Sequence, residues 1–444
     1  MAEVTNFPQS GAAYYKPDVL ALRRSEPYEL YLRGRDHKDK INLYSNVAQC
    51  YRFYEGDQWA GVDLGNLNAL VFNIIRSIGR YKVSQVLMND TKVLFSCAEN
   101  RDPVMQEAAE QLTQYTATLW ERLKLDWQAR RGLTHAYITG DLISYVYLDE
   151  NGEERYEEID SVNFYPGNVN EQDIQAQPYI VVVCRRPVAD VRDEAAQNGL
   201  SEEEIELIVS DEETMWQASD GAKRELDPSG MCNCYLKFWK DKRTDTVWMK
   251  KSTQAVDYLP DTDTLGKRYR FAHMVWEEKK GEFHGIGDVQ YLIPNQKAIN
   301  MIQSMNMTNL RYFGFPKMIY NQSAFQAEKP SNAIGSMIGV TGNADDVRKA
   351  VSYLTPPALS GDTYKVFSDM LSVTKDMNGA NDAALGNINP EQASGAAIAA
   401  TVQQSAMPLE NQRQQFYNYV EDLALNFADL WVTGNRDRVL RMTG

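Results

Sequence analysis

Cys232 with Cys234, the turn His284-Gly285-Ile286-Gly287, the acidic run Glu202-Glu203-Glu204 and the triplet Asp261, Asp263, Gly266 are the places where residue type and spacing could carry chemistry. A structural zinc site needs four ligands, usually as two spaced pairs. Neither the remaining cysteines, Cys50, Cys97 and Cys184, nor the histidines, His37, His135, His273 and His284, offer a second pair. The alternative for Cys232 and Cys234 is two small strand residues. The Asp261 triplet copies the start of a calcium loop, but Leu265 holds the fifth position and Ala272 the place of the terminal Glu. Gly281, Gly285 and Gly287 miss the dinucleotide spacing, and Leu265-Gly266-Lys267-Arg268 lacks the hydroxyl and preceding glycine of a phosphate-binding loop. His284 reads as a turn residue more readily than as a general base. The Glu202 run could hold metals for phosphodiester chemistry, or it is a solvated helix surface. These residues describe a structural or binding protein, not an enzyme, and imply no cofactor.

The elements around the glycine turn say more. Gly285, Gly287 and Asp288 lead into a segment in which, from Val289 to Phe315, only Lys297 and Arg311 are charged, although 24% of the chain is Asp, Glu, Lys or Arg. Seven amides, among them Gln296 and Asn300, and the methionines Met301, Met305 and Met307 stand there instead, with Ile299, Ile302 and Leu310 at helical spacing. A neutral, hydrogen-bonding helix suits packing against copies of itself, with one side facing something that charge would hold too strongly. A half-buried helix of one large domain is the alternative.

The 444 residues, 43% of them hydrophobic, can bury a core divided into two to four lobes. No apolar run approaches the roughly 20 residues of a membrane span, and residues 1–17 lack a signal pattern, so a soluble protein made in a cytoplasm is expected. Five cysteines, odd in number and mostly scattered, point to reduced thiols. The net charge of −15 is uneven: residues 101–231 carry 17 more acidic than basic side chains, whereas 232–280 carry four more basic ones. Such a balance makes a poor DNA-gripping surface, though not a poor sliding one.

Periodicity predicts helices over 27–55, 71–88, 103–127, 129–139 and 187–208. Strands are predicted over 92–97, 143–148, 179–185 and 316–320, with an acidic hairpin at 149–160. Residues 217–231 read as a linker, and 232–280, with Trp239, Trp248 and Trp276, as an inserted β-rich subdomain with its own core. Residues 328–344 and 378–389 read as loops, and 362–377 and 409–431 as helices. Asn389-Pro390-Glu391 starts another helix, with a run of small residues from Ala393. Pro408 is expected to kink or divide that element.

Several of these stretches resemble the portal proteins of tailed bacteriophages. Tyr51-Arg52-Phe53-Tyr54-Glu55-Gly56-Asp57-Gln58-Trp59 is similar to their opening motif, and Phe72-Asn73-Ile74-Ile75 to the helix start that follows. Ala136 to Val146 resembles their helix, glycine, strand passage. Phe283 to Asp288 with Gln296, Ile299 and Asn300 resembles the run into the second stem helix, and Ser394-Gly395-Ala396-Ala397-Ile398 the helix behind the tunnel loop. The likeness spans about residues 30–435 and departs in leaving little chain for a C-terminal barrel.

The resemblance implies an α+β, mainly helical fold with wing (1–186), first stem helix and linker (187–231), clip (232–280), second stem helix (281–313), wing return (314–400) with a tunnel loop near 381–391, and short crown (401–444). It implies a homo-oligomeric ring, typically of twelve, at one capsid vertex of the virion, assembled in the host cytoplasm. The partners implied are the terminase, a tail adaptor, the major capsid or scaffolding protein, and double-stranded DNA passing through the channel, with no membrane. Carried onto this chain, Lys297 and Arg311 are the weak phosphate contacts in the stem, Gly285, Gly287 and Asp288 its turn, and Asn387, Ile388, Asn389 and Glu391 the tunnel loop. Lys237, Lys240, Lys242 and Arg243 are the clip's docking surface, or else a solvated hairpin tip. A terminase-like ATPase or nuclease and a tail or collar adaptor ring are the competing readings; the missing P-loop speaks against the first, the clip insertion against the second.

Overall fold

A computed structural model describes residues 24–88, 91–96, 103–149, 151–211, 230–313, 317–321, 337–340, 351–354, 361–380 and 407–434. Helix α1 (Glu26–Lys40) starts where Ser25 accepts a hydrogen bond from the Tyr28 N–H, with Pro27 in its first turn, acids at its positive end and Lys38 and Lys40 at its negative end. Asn42, in the left-handed region at φ 56°, ends it, and α2 (Leu43–Glu55) follows, so the single helix expected over 27–55 is two. Asparagine tolerates that conformation better than other side chains do. Helix α3 (Ile74–Val86) is shorter than the 71–88 predicted. Helix α4 (Pro103–Arg122) stops before Trp127, because Lys124 turns left-handed at φ 52°, and α5 (Leu125–Thr139) begins afresh. Residues 92–96 form no strand, correcting the expectation there.

The chain divides into two compact units. The first comprises residues up to Tyr54, Gly79–Tyr291 and those from Ala406 on. Its strands are β1 (Asp141–Leu148), β2 (Glu154–Ile159), β3 (Phe164–Pro166), β4 (Tyr179–Pro187), β5 (Met231–Asp241), β6 (Thr246–Ser252), β7 (Asp257–Asp263) and β8 (Phe271–Val275). They form two sheets of order β2-β1-β8 and β3-β4-β5-β6-β7. Phe164, Ile180, Phe238, Phe271 and Phe283 pack in one buried cluster with Ile143. Residues 232–280 therefore do not make a sheet of their own. Strand β5 pairs with β4 along nine residues, from Tyr179 opposite Trp239 to Pro187 opposite Met231, while β8 joins β1 in the other sheet. Trp239 and Trp248 do meet across strands, 6.5 Å apart, but Trp276 is fully buried against Tyr137.

The charged helix predicted over 187–208 is also two elements, α6 (Val188–Gln197) and α7 (Glu202–Glu206). Gly199 at φ 82° separates them, and Ser201 with Glu204 forms a reciprocal capping box that starts the second. Val188, Val191 and Ala195 of α6 cover Cys232, Cys234 and Val256, so the cysteines are small strand residues under a helix.

The second unit comprises Glu55–Ile78 and Leu292–Ser405. It takes in most of α8 (Asp288–Phe313), the strands β9 (Lys317–Asn321), β10 (Met337–Val340) and β11 (Val351–Leu354), and α9 (Gly361–Met377). Strand β9 is central, parallel to β10 and antiparallel to β11. β10 lies inside the stretch expected to be loop. The expected tunnel loop with Asn387, Ile388, Asn389 and Glu391, and the small-residue run after it, lie outside the described residues. Met407–Leu409 make a 3-10 turn around Pro408 leading into α10 (Glu410–Gly434) of the first unit, so Pro408 starts that helix.

Candidate functional site

The glycine turn is a place where backbones cross. Gly140, at φ 105°, closes α5, and a Cβ there would stand 2.4 Å from the carbonyl carbon and oxygen of Gly285. At Gly285 a Cβ would meet Val275 Cγ1 at 2.1 Å and the Gly140 oxygen at 2.6 Å; at Gly287 it would meet the Ile138 oxygen at 2.5 Å. Side chains are excluded from both sides of this contact. Glycine's freedom and absence of Cβ serve close approach here, not phosphate binding.

Asp141, the first residue of β1, ties the crossing together. Its carboxylate accepts from the Gly285 N–H at 2.9 Å and meets His284 Nδ1 at 2.8 Å and His273 Nε2 at 3.1 Å. Its side chain is 1% exposed. Burial alone would raise its pKa, but the charge and hydrogen bonds of His284 and His273 outweigh this and hold the carboxyl well below its ordinary value. Burial pulls the His284 imidazole below its ordinary value despite Asp141, so a neutral ring donating from Nδ1 is the state that fits. Its Nε2 has no hydrogen-bond partner among the described residues. Lys38, also buried and pulled down by burial, places Nζ 2.6 Å from the Ser161 and Phe164 carbonyls and over the Tyr165 ring. Asp288 pairs with Lys82 at 2.7 Å, both largely buried, where the N-terminus of α8 also favours a carboxylate. Gly285, Gly287 and Asp288, singled out from the sequence as the stem's turn, thus sit together. Nothing in the pattern of residues identified Asp141 or Lys82; only pairing at long range reveals them.

The amides of α8 have two uses. Gln296 and Asn300, each 2% exposed, turn into the second unit. Gln296 Oε1 accepts from the N–H groups of Ile74 at 3.0 Å and Ile75 at 3.4 Å, while its Nε2 donates to the Phe72 carbonyl at 2.7 Å. Asn300 Oδ1 accepts from the Phe72 N–H and from Gln296, and its Nδ2 donates to Gln58 Oε1. This is a side-chain cap for the start of α3, supplied by another helix. At Gln296 and Asn300 the amides serve the half-buried helix of the alternative reading. Gln296→Leu strands these N–H groups and is expected to cost about 1–3 kcal/mol, with faster hydrogen exchange at residues 72–76; unchanged exchange there would remove the cap.

Other residues of α8 point outward. Tyr291, Met305, Met307 and Leu310 are 45–57% exposed, and Lys297 and Arg311 are exposed as well. Arg311 lines a notch of about 660 Å³ with Asn68, Leu70, Met307 and Leu310. The four basic residues expected on the clip divide differently. Lys237 is 12% exposed and bound to Glu26, its Nζ also 4.9 Å from the Trp239 ring. Lys240 donates to the Gln175 carbonyl at 2.8 Å and lies over Tyr269. Lys242 and Arg243 alone are exposed, at the β5–β6 turn. Two of the four are fold contacts.

Among the described residues no group of His, Cys, Asp or Glu is arranged to hold a metal, and no helix is long and apolar enough to cross a membrane. The family described as Phage P22-like portal protein matches the chain over residues 185–417, just over half its length. No curated protein matches it.

Proposed function

Because this chain belongs to the P22-like portal protein family, the structural head-tail connectors of phages, we propose that copies of it close into a ring at one capsid vertex through which DNA is packaged and later ejected. The observation that carries this reading is the outward surface of α8. After Asp288 it bears no carboxylate and only the cations Lys297 and Arg311, among amides and methionines. A wall that met DNA with a row of Lys and Arg would hold it through counterion release; a wall of carboxylates would repel it. A nearly neutral one lets it slide.

In this reading residues 1–186 and 314–400 serve as wing, 187–231 and 281–313 as stem, 232–280 as clip and 401–444 as short crown, with 381–391 as the tunnel loop. Lys242 and Arg243 are the part of the clip left to dock the terminase and then the tail adaptor, while the wing meets the capsid or scaffolding protein. Native mass and negative-stain imaging test the proposal. A closed ring of about a dozen copies around a channel is expected, and a monomer or dimer across salt and protein concentration would overturn it. Within the ring, Lys297→Ala and Arg311→Ala are each expected to lower the salt slope of DNA retention by about one per lost phosphate contact. An unchanged slope would take both residues out of the channel.

A further inference from the structure

Between the two sheets of the first unit and α6 lies a cleft of about 1260 Å³ that the portal reading does not use. Its floor is apolar and aromatic. Tyr145 and Tyr147 stack at 5.4 Å, and Phe238, 5.6 Å from Tyr145, and Met249 line it beside them. Seven carboxylates but only three Arg or Lys side chains line the cleft, a formal excess of four negative charges. Those three cations are already committed: Arg131 to Glu158, and Arg186 and Lys251 to Glu194. Glu157, Asp190 and Asp193 have no ion pair among the described residues, and desolvation raises Glu157 with no cation beside it. An aromatic floor under unpaired carboxylates fits arginine, whose guanidinium stacks on rings while its N–H groups reach carboxylates.

The chain carries such a segment close by. Beyond Gly434 it runs Asn435-Arg436-Asp437-Arg438-Val439-Leu440-Arg441-Met442-Thr443-Gly444, three arginines against one aspartate among apolar residues. No other stretch outside the described residues has an excess of cations. Its root is at the cleft's lip. Trp431 Nε1, in the last turn of α10, donates to Glu154 at 3.1 Å. Glu154 faces Leu148 across the β1–β2 hairpin, and Leu148, Asp149 and Asn151 line the cleft. Ten residues reach at most about 33–36 Å, enough to round the hairpin and cross the floor.

We propose that residues 435–444 of the same chain seat in this cleft, with Arg436, Arg438 and Arg441 against Glu157, Asp190 and Asp193 and the apolar side chains on the tyrosine floor. The test keeps the full chain and replaces Arg438→Lys and Arg441→Lys, so that a zero-length carbodiimide can join the introduced lysines to neighbouring carboxylates. It is run on an equal mixture of ¹⁴N- and ¹⁵N-labelled protein. Cross-linked peptides joining the tail to Glu157, Asp190 or Asp193 within one isotope are expected. They should fall at least tenfold in about 1 M salt, where the Debye length is about 3 Å, and links to Asp193 should fall in a chain also carrying E157Q and D190N, whose amides cannot themselves couple. Mixed-isotope links would assign the tail to a second copy and overturn the proposal, as would tail links to other carboxylates only, or none. Glu157 and Asp190 are exposed, and an unchanged urea midpoint verifies that the substitutions leave the packed core alone.

Discussion

Gly140→Ala is expected to be among the most damaging single-methyl changes at the described residues. Alanine at φ 105° adds about 1–2 kcal/mol of left-handed strain. Its Cβ, 2.4 Å from the Gly285 backbone, adds about 1–3 kcal/mol more, because the atoms it meets are main chain and cannot rotate away. The sum, about 2–5 kcal/mol, is a large share of the stability of an ordinary domain. Gly287→Ala is expected to approach it through the overlap alone, with Ile138 and Tyr137 carbonyl oxygens 2.5 and 2.6 Å from the added atom. Gly281→Ala is the control: φ is 75° there but nothing lies within 4 Å, so only the strain remains. Urea midpoints and soluble yields of the three variants check the order. Equal losses at Gly140 and Gly281 would mean that the crossing at Gly140 relaxes and that its tightness does not hold the turn.

Asp141→Ala is expected to cost several kcal/mol, about 1–3 kcal/mol for each buried donor left without its acceptor. It leaves the Gly285 N–H and both imidazoles without their acceptor. Asp141→Asn keeps the shape but cannot accept from all three, and should fall between. The same group makes stability depend on pH, and the signs of its two contributions agree. His284 titrates lower in the folded chain than its ordinary 6.5. The unfolded chain therefore takes up a proton first as pH falls, and stability is lost from about pH 6.5 downward until the folded imidazole also titrates. Asp141 is depressed too, so its contribution is present above about pH 4, the ordinary carboxylate value, and is lost below it. Urea midpoints at pH 7.5, 6.5 and 5.5 should fall in that order, and His284→Asn should flatten the trend. A wild-type midpoint that holds steady to pH 5.5 would mean that His284 takes up its proton in the folded chain as readily as in the unfolded one.

Most helices were readable because their signals are local. Pro103 at the start of the helix over 103–127, Gly140 after the one over 129–139 and the 3.6 period of apolar residues each act within a turn or two. Breaks were harder. Asn42 and Lys124 interrupt helical patterns with a single left-handed residue, and nothing in a periodic row announces that. Strand partners were harder still. Strands β5 and β8 fall almost wholly inside the stretch read as β-rich, yet their membership in different sheets depends on β4 and β1, respectively 52 and 130 residues upstream by their first residues.

The sequence by itself determined that the chain has a neutral, amide-rich helix entered through a glycine turn and lacks the residue pattern of a phosphate-binding loop, because both are properties of residue type and short spacing. Only the tertiary structure decided which of those residues are free for function. Gln296 and Asn300 are spent on capping α3, Lys237 and Lys240 on Glu26 and the Gln175 carbonyl, and Gly285 and Gly287 on a backbone crossing that Asp141 locks. Hydrogen bonds and ion pairs form between groups within about 3 Å, and which groups come that close across up to 328 residues of chain is fixed by packing, not by the order of the letters.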